Sequence, residues 1–230
     1  MKFLSDQAVN TTYLEQIQMK YKLSNCKIRW LEFTSGELIC QQGNPLEYIY
    51  FLVKGKVKIY TTSPEGRQLI VAFNRPLEVF GDVELIQNGH LLNTVEAVTP
   101  IVVGRISVIE ANRLRATSDL DSTLLDIVSR KFLTKSTTLS FHLLHPTDVR
   151  FASYLYSITH DENGNCVQKK IASKDLKEIA GFINTTVRHQ NRILHSFQKE
   201  GIIERIRGGL LLKSPSQLKD KANDNLYEIQ

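Results

Sequence analysis

The sequence is short of the features on which secreted, redox and membrane proteins depend. Its 230 residues hold three cysteines, Cys26, Cys40 and Cys166, far apart and without a Cys-x-x-Cys pair. An odd, scattered set gives neither a disulfide framework nor a zinc site. It reads as thiols packed like small hydrophobes. An iron–sulfur cluster needs closely spaced cysteines, which Cys26 and Cys40 do not supply. A single His90 is no basis for a haem ligand. His142 and His145 are a pair without a third ligand, so no metal is expected. Long apolar runs are missing too: the longest, Tyr48–Val53, is six residues, against about 20 for a membrane helix. The start of the chain turns polar at Ser5-Asp6-Gln7 and lacks the roughly 7–15-residue apolar stretch of a secretory signal. A cytoplasmic protein with no membrane partner is expected. Enzyme signatures are absent as well. There is no Gly-rich phosphate loop, no His-Glu-x-x-His and no Gly-x-Ser-x-Gly. Asp82 and Glu84, close in sequence, read as solvated loop acids. No catalytic residue is assigned.

What is present is enough for a buried core: 42% of residues are apolar and 23% charged. Residues 28–107 read as short strands with turn signals between them. They are Trp30–Phe33, Glu37–Cys40, Tyr48–Val53, Lys56–Tyr60, Leu69–Phe73, Thr94–Val98 and Ile101–Ile106, with no competing helical period. That grammar suggests a sandwich or barrel. From Asp119 to Leu144 there is neither Gly nor Pro. Leu125, Phe132 and Leu139 recur every seven residues with Val128 between the first two, a stripe of the kind that pairs a helix with its own copy. His145-Pro146 ends this helix and marks a candidate hinge. The remainder reads as a helix from Thr147, a turn at Asp161–Asn165, further helical pieces and a hairpin. A polar tail, about Ser214–Gln230, is expected to fray.

Charge is unevenly spread. Residues 169–213 hold ten basic and four acidic side chains, an excess of six against five for the whole chain. Such a cluster is the footprint of a polyanion-binding surface. Within it, Ser173 can cap a helix ending near Gly181–Ile183, and Asn184-Thr185-Thr186 makes a tight turn. Thr186 caps a second helix, Val187–Gln198. Ile193, Leu194 and Phe197 of that helix face inward, and Val187, Arg188, Asn191 and Arg192 face outward. This is a helix-turn-helix. Two apolar runs around a Gly208-Gly209 turn add a hairpin wing, whose Arg205 and Arg207 can reach phosphates.

The run Ile179–Leu194, followed by Lys199-Glu200-Gly201-Ile202-Ile203, resembles the winged helix-turn-helix of the Crp/Fnr family of bacterial transcription regulators. The Arg188-His189 pair and its surroundings are most similar to the YeiL-like branch. Upstream, Ser35–Ile39, Gln42-Gly43, Tyr50–Lys58 and Phe80-Gly81-Asp82 resemble the family's cyclic-nucleotide-binding-like domain. The resemblance covers about residues 28–213. It implies an α+β protein: an N-terminal antiparallel, jelly-roll-like β-barrel, a long dimerisation helix and a C-terminal winged helix-turn-helix. The corresponding segments are 1–118 (with 1–27 as an N-terminal extension), 119–145 and 146–230. It further implies a homodimer reading a near-palindromic site in double-stranded DNA, with RNA polymerase as a further partner. The family's base-reading positions fall on Val187, Arg188 and Arg192, and its phosphate contacts on Thr186 and His189. Arginine suits guanine O6/N7, whereas Val187 offers at best an apolar contact to a thymine methyl. The competing reading is a ligand-binding signalling module that acts through protein contacts; the basic segment and the wing count against it.

Effector binding is implied for the N-terminal domain, with Gly81, Asp82, Val83, Asn93, Thr94 and Val95 at the family's pocket positions. Family members that bind cyclic nucleotides place a Glu on the ribose and an Arg on the phosphate. Here Asp82 replaces the Glu, Asn93-Thr94-Val95 stands where Arg-Ser-Ala would be, and residues 80–97 contain no Lys or Arg. A buried phosphate without a cation is costly. Cyclic AMP and cyclic GMP are therefore disfavoured, no cofactor is assigned, and the effector is left unidentified.

Overall fold

The computed structural model describes residues 1–4, 11–23, 26–117, 120–223 and 226–228. The strands are β1 (Lys2–Leu4), β2 (Arg29–Phe33), β3 (Leu38–Cys40), β4 (Tyr48–Lys54), β5 (Val57–Thr62), β6 (Gln68–Asn74), β7 (Glu78–Phe80), β8 (Thr94–Ala97), β9 (Ile101–Ser107), β10 (Lys170–Ala172), β11 (Ile203–Ile206) and β12 (Gly209–Leu212). The helices are α1 (Thr11–Tyr21), α2 (Asp82–Gln87), α3 (Val108–Thr117), α4 (Leu120–Leu144), α5 (Thr147–Thr159), α6 (Ser173–Phe182), α7 (Val187–Lys199) and α8 (Pro215–Ala222). Packing gathers them into two units, Met1–Ile59 with Asn74–Leu133, and Tyr60–Phe73 with Thr134–Gln230. The segments read from the sequence follow changes of element type. The units follow contacts instead, so the β5–β6 hairpin groups with the C-terminal helices and α4 is shared.

The strands form an open two-sheet, jelly-roll-like arrangement, with orders β1-β2-β9-β4-β7 and β3-β8-β5-β6. The six-residue apolar run has a physical reason: β4 is buried on both faces. Ile49, Phe51 and Val53 meet Ile17 and Tyr21 of α1, Leu114 of α3 and Leu120, Leu124 and Ile127 of α4. Leu52 points the other way, among Leu31, Val57, Val95, Ile101 and Val103. Close packing fixes Gly104 in β9, since a Cβ there would lie 2.6 Å from Ile28 Cγ2 and 3.1 Å from the Trp30 ring. Strands β1 and β7 and helices α1, α2 and α3 were not read from the sequence. No helical period shows within 28–107 because the six-residue α2 is too short to display one.

Helix α4 carries two stripes. The inner one, Leu124, Ile127, Thr138 and Phe141, is buried. The seven-residue stripe is the outer one: Leu125, Phe132 and Leu139 are 66%, 68% and 57% exposed, and Val128 is half-buried. The expected front of the helix at Asp119 lies outside the described residues. Leu144 is its last residue, and Pro146 stands immediately before α5.

The second unit corrects the expected frayed tail. Ser214 caps α8 through its hydroxyl, which accepts from Gln217 N, and Leu218 and Tyr227 are fully buried. The Tyr227 ring lies 5.0 Å from Phe141, 5.2 Å from His142 and 6.4 Å from Phe73. Apolar anchors too sparse to stand out in a polar stretch therefore hold the segment. The loop Asp161–Asn165 is a turn as expected, with Asp161 Oδ1 accepting from Asn163 N and Asn165 N at 2.9 and 2.8 Å.

Candidate nucleic-acid interface and sensor pocket

Helix α6 ends where Asn184 takes φ +52°, the left-handed conformation that Asn tolerates better than most residues. Thr186 then starts α7, its Oγ1 accepting from His189 N at 3.2 Å. Ser173, expected as the cap of α6, is its first residue instead. Ala172 precedes it with no side-chain cap, and Ser173 N donates to Gly208 O at 2.8 Å. The inner face of α7 is Ile193, Leu194 and Phe197, all buried. Gln190 joins them, only 2% exposed, its Nε2 donating to Leu176 O at 2.7 Å. Its spacing of three, four and seven from those residues was the available signal. Gln190 thus ties α7 to α6 by a hydrogen bond in an otherwise apolar contact.

The outer face presents Thr186, Val187, Arg188, His189, Asn191 and Arg192, all exposed. Arg188 and Arg192 form no ion pair or side-chain hydrogen bond among the described residues. The wing is the three-stranded sheet β10-β12-β11. Its turn is Arg207-Gly208, with Gly208 at φ +87° and Ile206 paired to Gly209, not Gly208-Gly209. Gly209 is needed for another reason: a Cβ there would fall 2.0 Å from Ile171 O. Arg205 and Arg207 are exposed, and Arg205 Nη2 donates to Asn191 Oδ1 at 3.3 Å. Between helix and wing lies a concavity of about 340 Å³, lined by Val187, Gln190, Asn191 and Arg205 among others. Seven polar or cationic side chains and one apolar one, Val187, therefore line a helix and wing of the size that a duplex groove accepts.

In the first unit, Gly81 precedes α2 at φ +92°, where a Cβ would meet Leu46 Cδ1 at 2.8 Å. Asp82 and Glu84 are buried, which corrects their reading as solvated acids: both sit on α2, not on a loop. Glu84 Oε1 accepts from Leu92 N at 2.9 Å. Asp82 Oδ1 is 2.8 Å from Lys131 Nζ, which also donates to Val79 O at 2.5 Å and stands 3.6 Å from Glu78 Oε1. Burial opposes the Lys131 charge, but the Asp82 and Glu78 carboxylates outweigh it and raise the ammonium's pKa. Lys131 was missed because it lies 49 positions from Asp82; its only trace is its place on the inner stripe of α4. Val83 and Asn93 are half-buried and Val95 is buried in the sandwich core. Thr94 Oγ1 accepts from Gln42 N at 3.2 Å.

Other candidate ligands have ordinary roles. His142 Nε2 lies 3.1 Å from Ile70 O and the His145 ring packs on Phe141. Among the described residues no cluster of three or more His, Cys, Asp or Glu is placed to hold a metal. Burial, then Glu84, pushes the Cys40 thiol up to about 12, which makes it a poor nucleophile. No helix among the described residues is long and apolar enough to cross a membrane.

A jelly-roll-like domain, a long helix and a winged helix-turn-helix, in that order, define a DNA-binding transcription regulator, not an enzyme. The cyclic nucleotide-binding domain family matches residues 30–118, and the Crp-like helix-turn-helix domain family matches residues 149–221. The chain belongs to the Crp/Fnr family of transcription regulators. Among its relatives, the CRP-like cAMP-activated global transcriptional regulator of Mycobacterium tuberculosis is 22% identical over 196 residues, 81% of this chain and 84% of the relative. Regulatory protein YeiL of Escherichia coli O157:H7 is 22% identical over 195 residues, 84% and 85% of the two chains. A solved Crp/Fnr-family regulator from Eubacterium rectale shares the fold with a TM-score of 0.70 at 15% identity, covering 94% of this chain and 96% of that one.

The first of these matches implies a cyclic nucleotide, and the residues present do not fit one. Asn93, Thr94 and Val95 carry no charge to meet a phosphate. The cation that approaches the site, Lys131, is already engaged by two carboxylates and a carbonyl.

Proposed function

We propose that the protein acts in the cytoplasm as a homodimer on double-stranded DNA, each subunit placing α7 in the major groove of one half-site. Two-fold symmetry then requires a near-palindromic site with half-site centres about 34–36 Å apart. The observation that carries this reading is a pair of exposed arginines without partners among the described residues, Arg188 and Arg192, on one face of α7 beside Arg205 and Arg207. Arg188 and Arg192 read guanine edges, Val187 meets a thymine methyl, and Asn191 reads a neighbouring base edge. Thr186, His189, Arg205 and Arg207 hold phosphates. The exposed Leu125, Phe132 and Leu139 stripe supports pairing of α4 with its copy. RNA polymerase is the further partner, and an unidentified effector acts through the N-terminal domain around Gly81, Asp82, Val83, Asn93, Thr94 and Val95.

Selection of bound fragments from random duplex DNA tests the reading. A two-fold-symmetric consensus, bound with an affinity that falls steeply with salt, is expected. Failure to enrich any duplex sequence overturns it, and a flat salt response would favour protein contacts instead.

A further inference from the structure

We propose that Lys131 is a built-in substitute for a ligand, and that the N-terminal domain holds α2 against α4 without a cyclic nucleotide. The inference goes beyond the DNA-binding reading and rests on the first unit alone. Asp82 opens α2, and only 3% of its side chain is exposed. A carboxylate so placed needs a partner, because an unpaired buried charge is strongly destabilising. The partner is the ammonium of Lys131, midway along α4, 2.8 Å from Asp82 Oδ1.

The same ammonium donates to Val79 O in β7 and lies 3.6 Å from Glu78 Oε1. One side chain therefore joins a strand and the start of one helix to the middle of another. The Phe80 ring, 5.9 Å from Nζ, adds a cation–π face. Three carboxylates, Glu78, Asp82 and Glu84, surround the Lys131 ammonium, and Lys20 and Arg130 stand at the edge of the corner. An incoming phosphodiester would meet the buried Asp82 and Glu84 carboxylates, and it would have to take Lys131 from partners it already has. A cyclic nucleotide is thus excluded by charge, and the contact it would organise is made by the chain itself.

The test uses the full-length protein, with cyclic AMP and cyclic GMP as probes. Melting midpoints and binding to the selected duplex are measured for the wild type, Lys131→Met, Lys131→Arg and an exposed control, Lys135→Met. Wild type is expected to show neither a midpoint shift nor a gain in DNA affinity with either nucleotide. Lys131→Met should lower the midpoint by roughly 5–10 °C, as an uncompensated buried carboxylate demands. It should also weaken DNA binding about tenfold, within the usual range of coupling between sites. Lys131→Arg keeps the charge and should restore both; Lys135→Met should change neither. A nucleotide-induced midpoint rise in the wild type overturns the inference. So does Lys131→Met that melts or binds DNA like the wild type. Should the wild type select no duplex, the DNA-binding reading fails, while the melting series still decides the role of Lys131.

Discussion

Two charged corners of this protein obey opposite rules. Around Asp82 the charges are paired from within: Lys131 closes on one oxygen of the buried carboxylate, on Glu78 and on the Val79 carbonyl. On α7 the charges of Arg188 and Arg192 stand in solvent with no ion-pair partner among the described residues. A buried pair shapes the protein that contains it, because breaking it leaves an unsolvated charge. An exposed charge without a partner contributes little to folding and is free to neutralise an external anion. Burial and pairing, more than sign, separate a structural charge from one available for recognition.

The contrast can be broken by substitutions that should affect folding or DNA binding, but not both. On the proposed reading, Arg192→Ala removes one bidentate base contact from each half-site, each worth about 1–3 kcal/mol. Specific footprints should vanish while the melting curve stays put. Asp82→Asn strands Lys131 in place and should cost about 3–5 kcal/mol of stability, read by denaturant titration. Thr186→Ala belongs to both groups, since the hydroxyl caps α7 and faces the proposed phosphates. About 1 kcal/mol of stability should go with the cap, with weaker binding on every sequence.

A pH series tests a half-buried group in the second unit. Burial foremost, with Arg150 adding to it, lowers the His142 pKa from its ordinary value of 6.5. A depressed base contributes stability above its unfolded pKa and loses it as pH falls through the folded one. The melting midpoint should therefore fall as pH is lowered from 7 toward 5, and less so in His142→Gln. The smallest effect is expected for Arg207→Ala at the wing turn. It should weaken binding uniformly across sequences and lower the salt slope by about one.

Local grammar made much of the fold legible. Alternation and turn residues located seven strands, the Gly- and Pro-free stretch located α4, and Asn184 and Thr186 located the turn and cap of the helix-turn-helix. What was hidden lay in long-range contacts. Nothing near Lys131 in sequence announces Asp82. Leu218 and Tyr227 are single anchors in a polar tail, and α2 is shorter than two turns. The outward side of α7 was legible because a helix sets its own outward side; the Asp82–Lys131 corner was not, because separate segments build it.

The β5–β6 hairpin carries a consequence for the order of folding. Tyr60 packs edge-on to Phe182, and Phe73 edge-on to Tyr154, so two rings made early find their partners much later in synthesis. Until those partners leave the ribosome, the hairpin displays bare aromatic surface. Closure over such sequence separations is slow and exposed to aggregation. The nascent chain therefore passes through a sticky interval that ends only when the C-terminal helices arrive.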